Sequence, residues 1–86
     1  MAYKVRTLKT AERQLEHLDR PTRIRIVTFL EDLEAMDDPR AIGKALQGGD
    51  KLWRYRVGDY RLICQIEDKT ITITVIKIGH RKTIYR

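Results

Sequence analysis

The spacing of hydrophobic positions changes twice along this chain, and each change marks a new kind of element. "AYKVRTL" alternates Tyr3, Val5 and Thr7 against Lys4, Arg6 and Leu8, which predicts a short first strand. The period then lengthens. Thr10 is a candidate N-cap, and Ala11, Leu15 and Leu18 recur at i, i+4 and i+7, predicting a short amphipathic helix that ends near Asp19. Pro21 suits the first turn of a second helix. Ile24, Val27 and Leu30, with Ile26, Phe29 and Leu33, supply its apolar face to about Met36. "DDPRAIGKALQGGDK" reads as a loop broken by Gly43, Gly48 and Gly49, with room for one helical turn at Ala41–Leu46. Alternation returns in three strands at about Leu52–Val57, Tyr60–Glu67 and Thr70–Ile78. Gly58-Asp59 and "EDKT" make the tight turns between them. The order β-α-α-β-β-β predicts an α+β fold: an antiparallel sheet with two N-terminal helices packed on one face, a single domain over 1–86.

The Gly58-Asp59 turn also predicts a register. Val57 opposes Tyr60, Arg56 opposes Arg61, Tyr55 opposes Leu62, Arg54 opposes Ile63, and Trp53 opposes Cys64. Side chains alternate faces along a strand. Trp53, Tyr55, Val57, Tyr60, Leu62 and Cys64 therefore share the core face, joined by Ile71, Ile73 and Val75. Arg54, Arg56, Arg61 and Gln65 share the open one, with Thr72 and Thr74 nearby. Arg56 faces Arg61, a like-charge pair that costs a strand pair up to ~1 kcal/mol. Such an arrangement favours a polyanion site, because arginine stays charged and grips phosphate in a fixed fork. Pairing with Asp50 or Asp59 is the alternative.

Charge distribution supports that reading. The 86 residues carry +6, and the imbalance is segregated. Residues 1–43 hold eight basic and eight acidic side chains, whereas residues 44–86 hold ten against four. A segregated excess suggests a polyanionic partner such as nucleic acid. No apolar stretch is long enough to span a membrane, and the N-terminus lacks a secretory signal. With one cysteine, Cys64, the sequence reads as cytoplasmic.

The tail "GHRKTIYR" adds Lys77, His80, Arg81, Lys82, Tyr85 and Arg86 around the end of the last strand. A cationic cleft with an imidazole and a phenol suits RNA phosphodiester chemistry. In it the ribose 2′-hydroxyl attacks the adjacent phosphate, arginines stabilise the developing charge, and an acid protonates the leaving oxygen. No His, Cys or Asp cluster suggests a metal, and no cofactor is expected. The loop glycines lack the Lys-Ser/Thr of a phosphate-binding loop. Taken singly, the residues are ordinary: His17 and His80 read as surface, Tyr85 as packing, Cys64, Trp53, Tyr55 and Tyr60 as core. The combination carries the signal.

"LWRYRVGDYRLIC", "VIKIGHRKTIYR", "MAYKV" and "KALQGG" together resemble the RelE toxin family, the toxin halves of bacterial and archaeal toxin–antitoxin pairs. The resemblance covers nearly the whole chain. It implies an mRNA interferase that cuts mRNA in the ribosomal A site without a metal. By position it implies catalytic roles for Arg61 and Arg81 at the phosphate and for Tyr85 near the attacking hydroxyl. Arg54, Arg56, Lys51, Lys77, Lys82 and Arg86 would contact RNA and rRNA. Arg54 and Arg56 stand where the best-known members have lysines. Because arginine is a poor base, His80 becomes the candidate for proton transfers. A cognate RelB-like antitoxin is implied, with operator DNA bound only through the complex. Two alternatives stay open: a ParE-like gyrase poison on the same fold, and a nucleic-acid-binding module without catalysis.

Overall fold

Gly58 adopts a φ of 60°, in the left-handed region that a side chain strains, and this lets β3 (Leu52–Val57) turn directly into β4 (Tyr60–Glu67). A computed structural model describes residues 2–46 and 51–85 of the chain. Gly48, Gly49, Asp50 and Arg86, to which the sequence reading gave roles, lie outside the described residues. The β3–β4 register is the expected one throughout, from Val57–Tyr60 and Arg56–Arg61 to Trp53–Cys64.

The remaining elements are β1 (Lys4–Thr7), α1 (Lys9–Glu16), α2 (Arg20–Ala35), β2 (Lys44–Ala45) and β5 (Thr72–His80). Spatial strand order is β1-β5-β4-β3-β2. The α+β class with two helices on one face holds. The sheet is mixed rather than wholly antiparallel, because β1 runs parallel to β5, with Lys4 beside Thr72 and Arg6 beside Thr74. The helical turn expected at Ala41–Leu46 is instead a 3-10 turn at Pro39–Ala41 followed by β2, which pairs Lys44 with Arg54 and Ala45 with Trp53.

Helix α1 begins two residues earlier than Thr10 suggested. Leu8 is its N-cap and, having no side-chain acceptor, gives no side-chain cap; its N–H is bonded to the Val75 carbonyl at 3.0 Å, and the chain swings straight from strand into helix. Asp19 caps α2 by accepting from the Thr22 N–H at 3.2 Å, and hydrogen bonding from the Thr22 side chain first and its N–H second holds the carboxyl below the usual range. The buried stripe of α2 is Ile26, Leu30 and Leu33, with Phe29 half-buried; Ile24 and Val27 point outward, 52% and 40% exposed.

Strand β5 departs from simple alternation. Ile63 pairs with Lys77 but Cys64 pairs with Val75, so Ile76 is an extra residue, a β-bulge. Before the bulge, Ile73 and Val75 face the core; after it, Ile78 does. Lys77 is thereby sent to the open face. Ile71 does not join the core face as expected: it sits in the turn before β5 with a φ of 50°. β5 runs on to His80, two residues past the predicted end. Under the sheet, the Tyr55 hydroxyl donates to the Pro39 carbonyl at 2.6 Å, and burial raises its phenol. Trp53 donates to the Ile42 carbonyl at 2.7 Å, while Tyr3 and Arg40 both donate to Asp68 at the sheet's far end.

Cys64 is fully buried, and burial pushes its thiol up to about 12 from an ordinary value of 9.0. A raised folded value means stability is whole below pH 9 and declines as alkali draws the proton from the unfolded thiol first. We expect Cys64 to resist a thiol reagent at pH 8 until urea unfolds the chain. The urea midpoint should fall as pH rises from about 9 toward 12; a readily labelled native thiol would contradict both.

Candidate nucleic-acid interface

Two cross-strand rows define the open face of the sheet. One runs Lys44–Arg54–Ile63–Lys77, and the next runs Arg56–Arg61–Gly79. Parallel pairing of β1 adds Lys4 and Arg6 at the far edge, where both are exposed while Val5 packs against the core. The face is therefore more basic than the hairpin alone implies. Lys4, Arg6 and Lys44 were not singled out in the sequence. Alternation in "AYKVRTL" carried the signal for the first two, but only the position of β1 in the sheet decides which way they face. Glu67 shares this face at its far end, paired with Thr72.

Arg61 is only 7% exposed, and it meets Arg56 across the strands. It is accommodated by its own turn: Nη1 donates to the Gly58 and Tyr60 carbonyls, each at 3.0 Å. Neutral carbonyls thus replace the carboxylate a buried guanidinium would otherwise need. Arg54 is half-buried, and its Nη1 donates to the Tyr85 hydroxyl at 3.2 Å. Among the described residues, Arg54 Nε is the single buried side-chain nitrogen or oxygen without a hydrogen-bond partner. Such an atom costs free energy unless an acceptor reaches it.

The tail folds back over these rows. The Arg81 N–H donates to the Asp59 carbonyl at 2.8 Å, and the Thr83 and Ile84 N–H groups both donate to the His80 carbonyl. Lys77 Nζ donates to the Ile84 carbonyl at 2.8 Å. Ile84 is buried, with its Cδ1 2.9 Å from where a Cβ on Gly79 would stand. Tyr85 remains 57% exposed above Arg54. Neither Ile84 nor Gly79 was named from sequence. An isoleucine inside a polar tail was the available sign.

Not every expected residue converges. Arg54 and Tyr85 meet, and Lys77 reaches Ile84, the residue before Tyr85, while Arg61 lies in the adjacent row with Nη1 turned to the Gly58 and Tyr60 carbonyls. Arg81 is exposed on the turn side, with Nε 3.8 Å from Asp59 Oδ1, a weak surface pair. His80 pairs with Tyr60 and so shares the helix-side parity; the two rings meet edge to face at 5.5 Å. Its Nδ1 accepts from the Lys82 N–H at 3.1 Å, which leaves Nε2 as the nitrogen able to carry a proton. Arg56 lies at the rim of a cleft of about 420 Å³ between the hairpin and α2, lined also by Ile24, Arg25 and Phe29. Lys51 is at the other end of β3, roughly 16 Å along the strand from the Arg56 row by the usual rise per residue. There it borders a separate cleft with Arg40, Asp68 and Lys69. Lys82 is exposed. Among the described residues, no group of three His, Cys, Asp or Glu side chains could hold a metal, and no helix is long and apolar enough to cross a membrane.

Fold and face together define a small α+β domain with a cationic open sheet and a phenol-bearing tail folded onto it. A family model described as the ParE toxin of a type II toxin–antitoxin system, parDE, matches residues 5–85. Toxin RelG of Mycobacterium tuberculosis is 34% identical over 88 residues, spanning 100% of this chain and 99% of that protein. The toxin–antitoxin complex RelBE2 of the same organism contains a chain that superposes with a TM-score of 0.81 at 31% identity, covering 94% of this chain and 100% of that one. The archaeal RelE–RelB complex of Pyrococcus horikoshii OT3 gives 0.77 at 30% identity, covering 96% and 99%. The chain belongs to this family: it is a RelE-family toxin of a type II toxin–antitoxin system.

The Arg56–Arg61 pair gives a prediction that separates stability from binding. Arg56→Glu replaces a like-charge pair with an opposite-charge one. It should stabilise the fold by up to ~1 kcal/mol in urea melts while weakening binding to a short RNA. Loss of stability in this variant would show that the open face carries no repulsive strain.

Proposed function

We propose that the protein is an mRNA interferase that acts in the ribosomal A site. The ribose 2′-oxygen forms a bond to the adjacent phosphorus as the bond from phosphorus to the 5′-oxygen breaks. The proton leaving the 2′-hydroxyl goes to a base, and one is delivered to the departing 5′-oxygen. The products are a 2′,3′-cyclic phosphate and a 5′-hydroxyl. The chemistry is metal-independent in this reading.

The observation that carries the proposal is the Arg54–Tyr85 pair, with the unpartnered Arg54 Nε beside it. A phosphate oxygen would supply the acceptor that Nε lacks, next to a phenol held in place by the same guanidinium. Arg61 and Arg81 stabilise charge on the phosphate, Tyr85 orients the nucleotide, and Lys82, Lys51, Arg56 and Arg86 guide RNA and rRNA by charge. Lys4, Arg6 and Lys44 extend the same electrostatic surface. His80, the sequence candidate for the proton transfers, lies on the helix-side face with Tyr60 and stands away from Arg54 and Tyr85. The protein works in the cytoplasm and is neutralised by a RelB-like antitoxin, a partnership supported by the RelE–RelB complex that it resembles. Operator DNA is engaged only through that complex.

The name of the matching family model favours one rival, a gyrase poison on the same fold. Inducing the wild type and an Arg61→Ala, Arg81→Ala double variant, then mapping mRNA 5′ ends within minutes, separates them. New 5′-hydroxyl ends inside coding regions, absent in the variant, are expected. Growth arrest with broken DNA and intact mRNA would replace the interferase reading with the gyrase one. The imidazole is tested separately: His80→Ala should leave cleavage largely intact, whereas a strong loss would bring His80 back into the proton transfers.

A further inference from the structure

We propose that Lys77, Gly79 and Ile84 form a latch that sets the position of Tyr85, so that Lys77 is a positioning residue rather than an RNA contact. The inference deepens the interferase reading and rests on it for its catalytic consequence.

The β5 bulge sends Lys77 to the open face in the same row as Arg54, separated from it by Ile63. There its ammonium is committed to the chain's own tail, donating to the Ile84 carbonyl at 2.8 Å. One row away, Gly79 leaves a hollow beside Arg61, and the buried Ile84 side chain fills it. Ile84 is thus held by its side chain on Gly79 and by its carbonyl on Lys77. The next residue is Tyr85, whose hydroxyl meets Arg54. Two anchors immediately before the tyrosine remove most of its freedom. The span from Lys77 to Arg54 across the sheet then determines where the phenol lies. Without the anchors, Tyr85 would hang on a few exposed residues whose backbone bonds lead back only to His80 and Asp59. Positional loss of this kind is expensive in catalysis, where misplacement by about 1 Å can cost ~100-fold.

A phosphate contact and a latch differ in what they disturb. Removing a phosphate-binding lysine lowers the salt slope of RNA binding by about one and weakens binding whatever Tyr85 does. Removing a latch leaves the slope alone and acts only through Tyr85. The test uses the full chain with Lys77→Met, Tyr85→Ala, both together, and Lys77→Arg, which can still donate to a carbonyl. Ile84→Ala removes the other anchor. Cleavage is measured on programmed ribosomes, binding of a short RNA is followed across salt concentrations, and tail release is read from tryptic nicking at the exposed Arg81 and Lys82.

Lys77→Met and Ile84→Ala should each cut cleavage roughly 10- to 100-fold and speed nicking. Lys77→Met should keep the wild-type salt slope, and Lys77→Arg should recover most of the rate. In the Tyr85→Ala background, Lys77→Met should cost less than about twofold more, since coupled residues are non-additive. Fully additive losses, or a salt slope reduced by about one, would overturn the proposal and return Lys77 to the RNA surface. If the wild type cuts no RNA, the interferase reading fails separately. The latch is then judged on nicking alone: faster nicking in Lys77→Met and Ile84→Ala supports it, and unchanged nicking overturns it.

Discussion

The tight turn at Gly58-Asp59 is the constraint on which the rest of the molecule depends. Because Gly58 can take a φ of 60°, β3 returns as β4 with no slack, and six residue pairs follow in strict order. A slip of one residue would turn every side chain over. Tyr55, Leu62 and Cys64 would then lose the core, and the arginines would be driven into it. The apolar demand of the helix side therefore holds Arg54, Arg56 and Arg61 outward, even though two of them must face each other. Hydrophobic burial outweighs a repulsion of up to ~1 kcal/mol, since each large core side chain contributes about 1.5–3 kcal/mol.

A second constraint acts at the bulge. Ile76 shifts the alternation of β5 by one, so that both Val75 and Ile78 can be buried. Regular alternation would have exposed one of them and buried Lys77 instead. The same shift carries Lys77 and Gly79 to the arginine side and His80 to the side of Tyr60. One extra residue thus decides which tail-proximal groups can meet the cationic face. It also explains why His80 lies on the side of Tyr60, away from the open-face guanidinium groups of Arg54 and Arg61.

These two constraints mark what could be read without a structure. The Gly58-Asp59 turn announces itself in composition, and the β3–β4 register with its arginine cluster follows from turn chemistry and a period of two. The bulge has no such mark, since "TITVIKIGH" alternates acceptably in either frame; Ile71 extends the alternation of Ile73 and Val75 backwards, and only its left-handed φ of 50° in the turn takes it out of the core face. Long-range placement was equally hidden. Nothing local says that β1 lies parallel beside β5, and so the basic side chains of Lys4 and Arg6 could not be added to the open face. Leu8 displaced Thr10 as cap at the point where its N–H joins the sheet through Val75, a bond invisible in sequence. On α2, six apolar candidates fit a helical stripe, and only packing against the sheet selects Ile26, Leu30 and Leu33 over Ile24 and Val27.

Family membership narrows the biology to toxin–antitoxin systems, yet the fold itself is compatible with more than one target. The distinction has to lie in the chemistry of the open face. Arg61 is satisfied internally by two turn carbonyls, which hold one end of its guanidinium against the turn. Arg54 is satisfied only in part, through a phenol, and keeps one buried donor in reserve. A surface meant only to repel or solubilise would leave both guanidinium groups in water. The two turn carbonyls offset the burial of Arg61, whereas Arg54 Nε has no acceptor among the described residues. Under the interferase proposal, a phosphodiester oxygen would supply that acceptor, beside a tyrosine held one residue beyond a buried isoleucine.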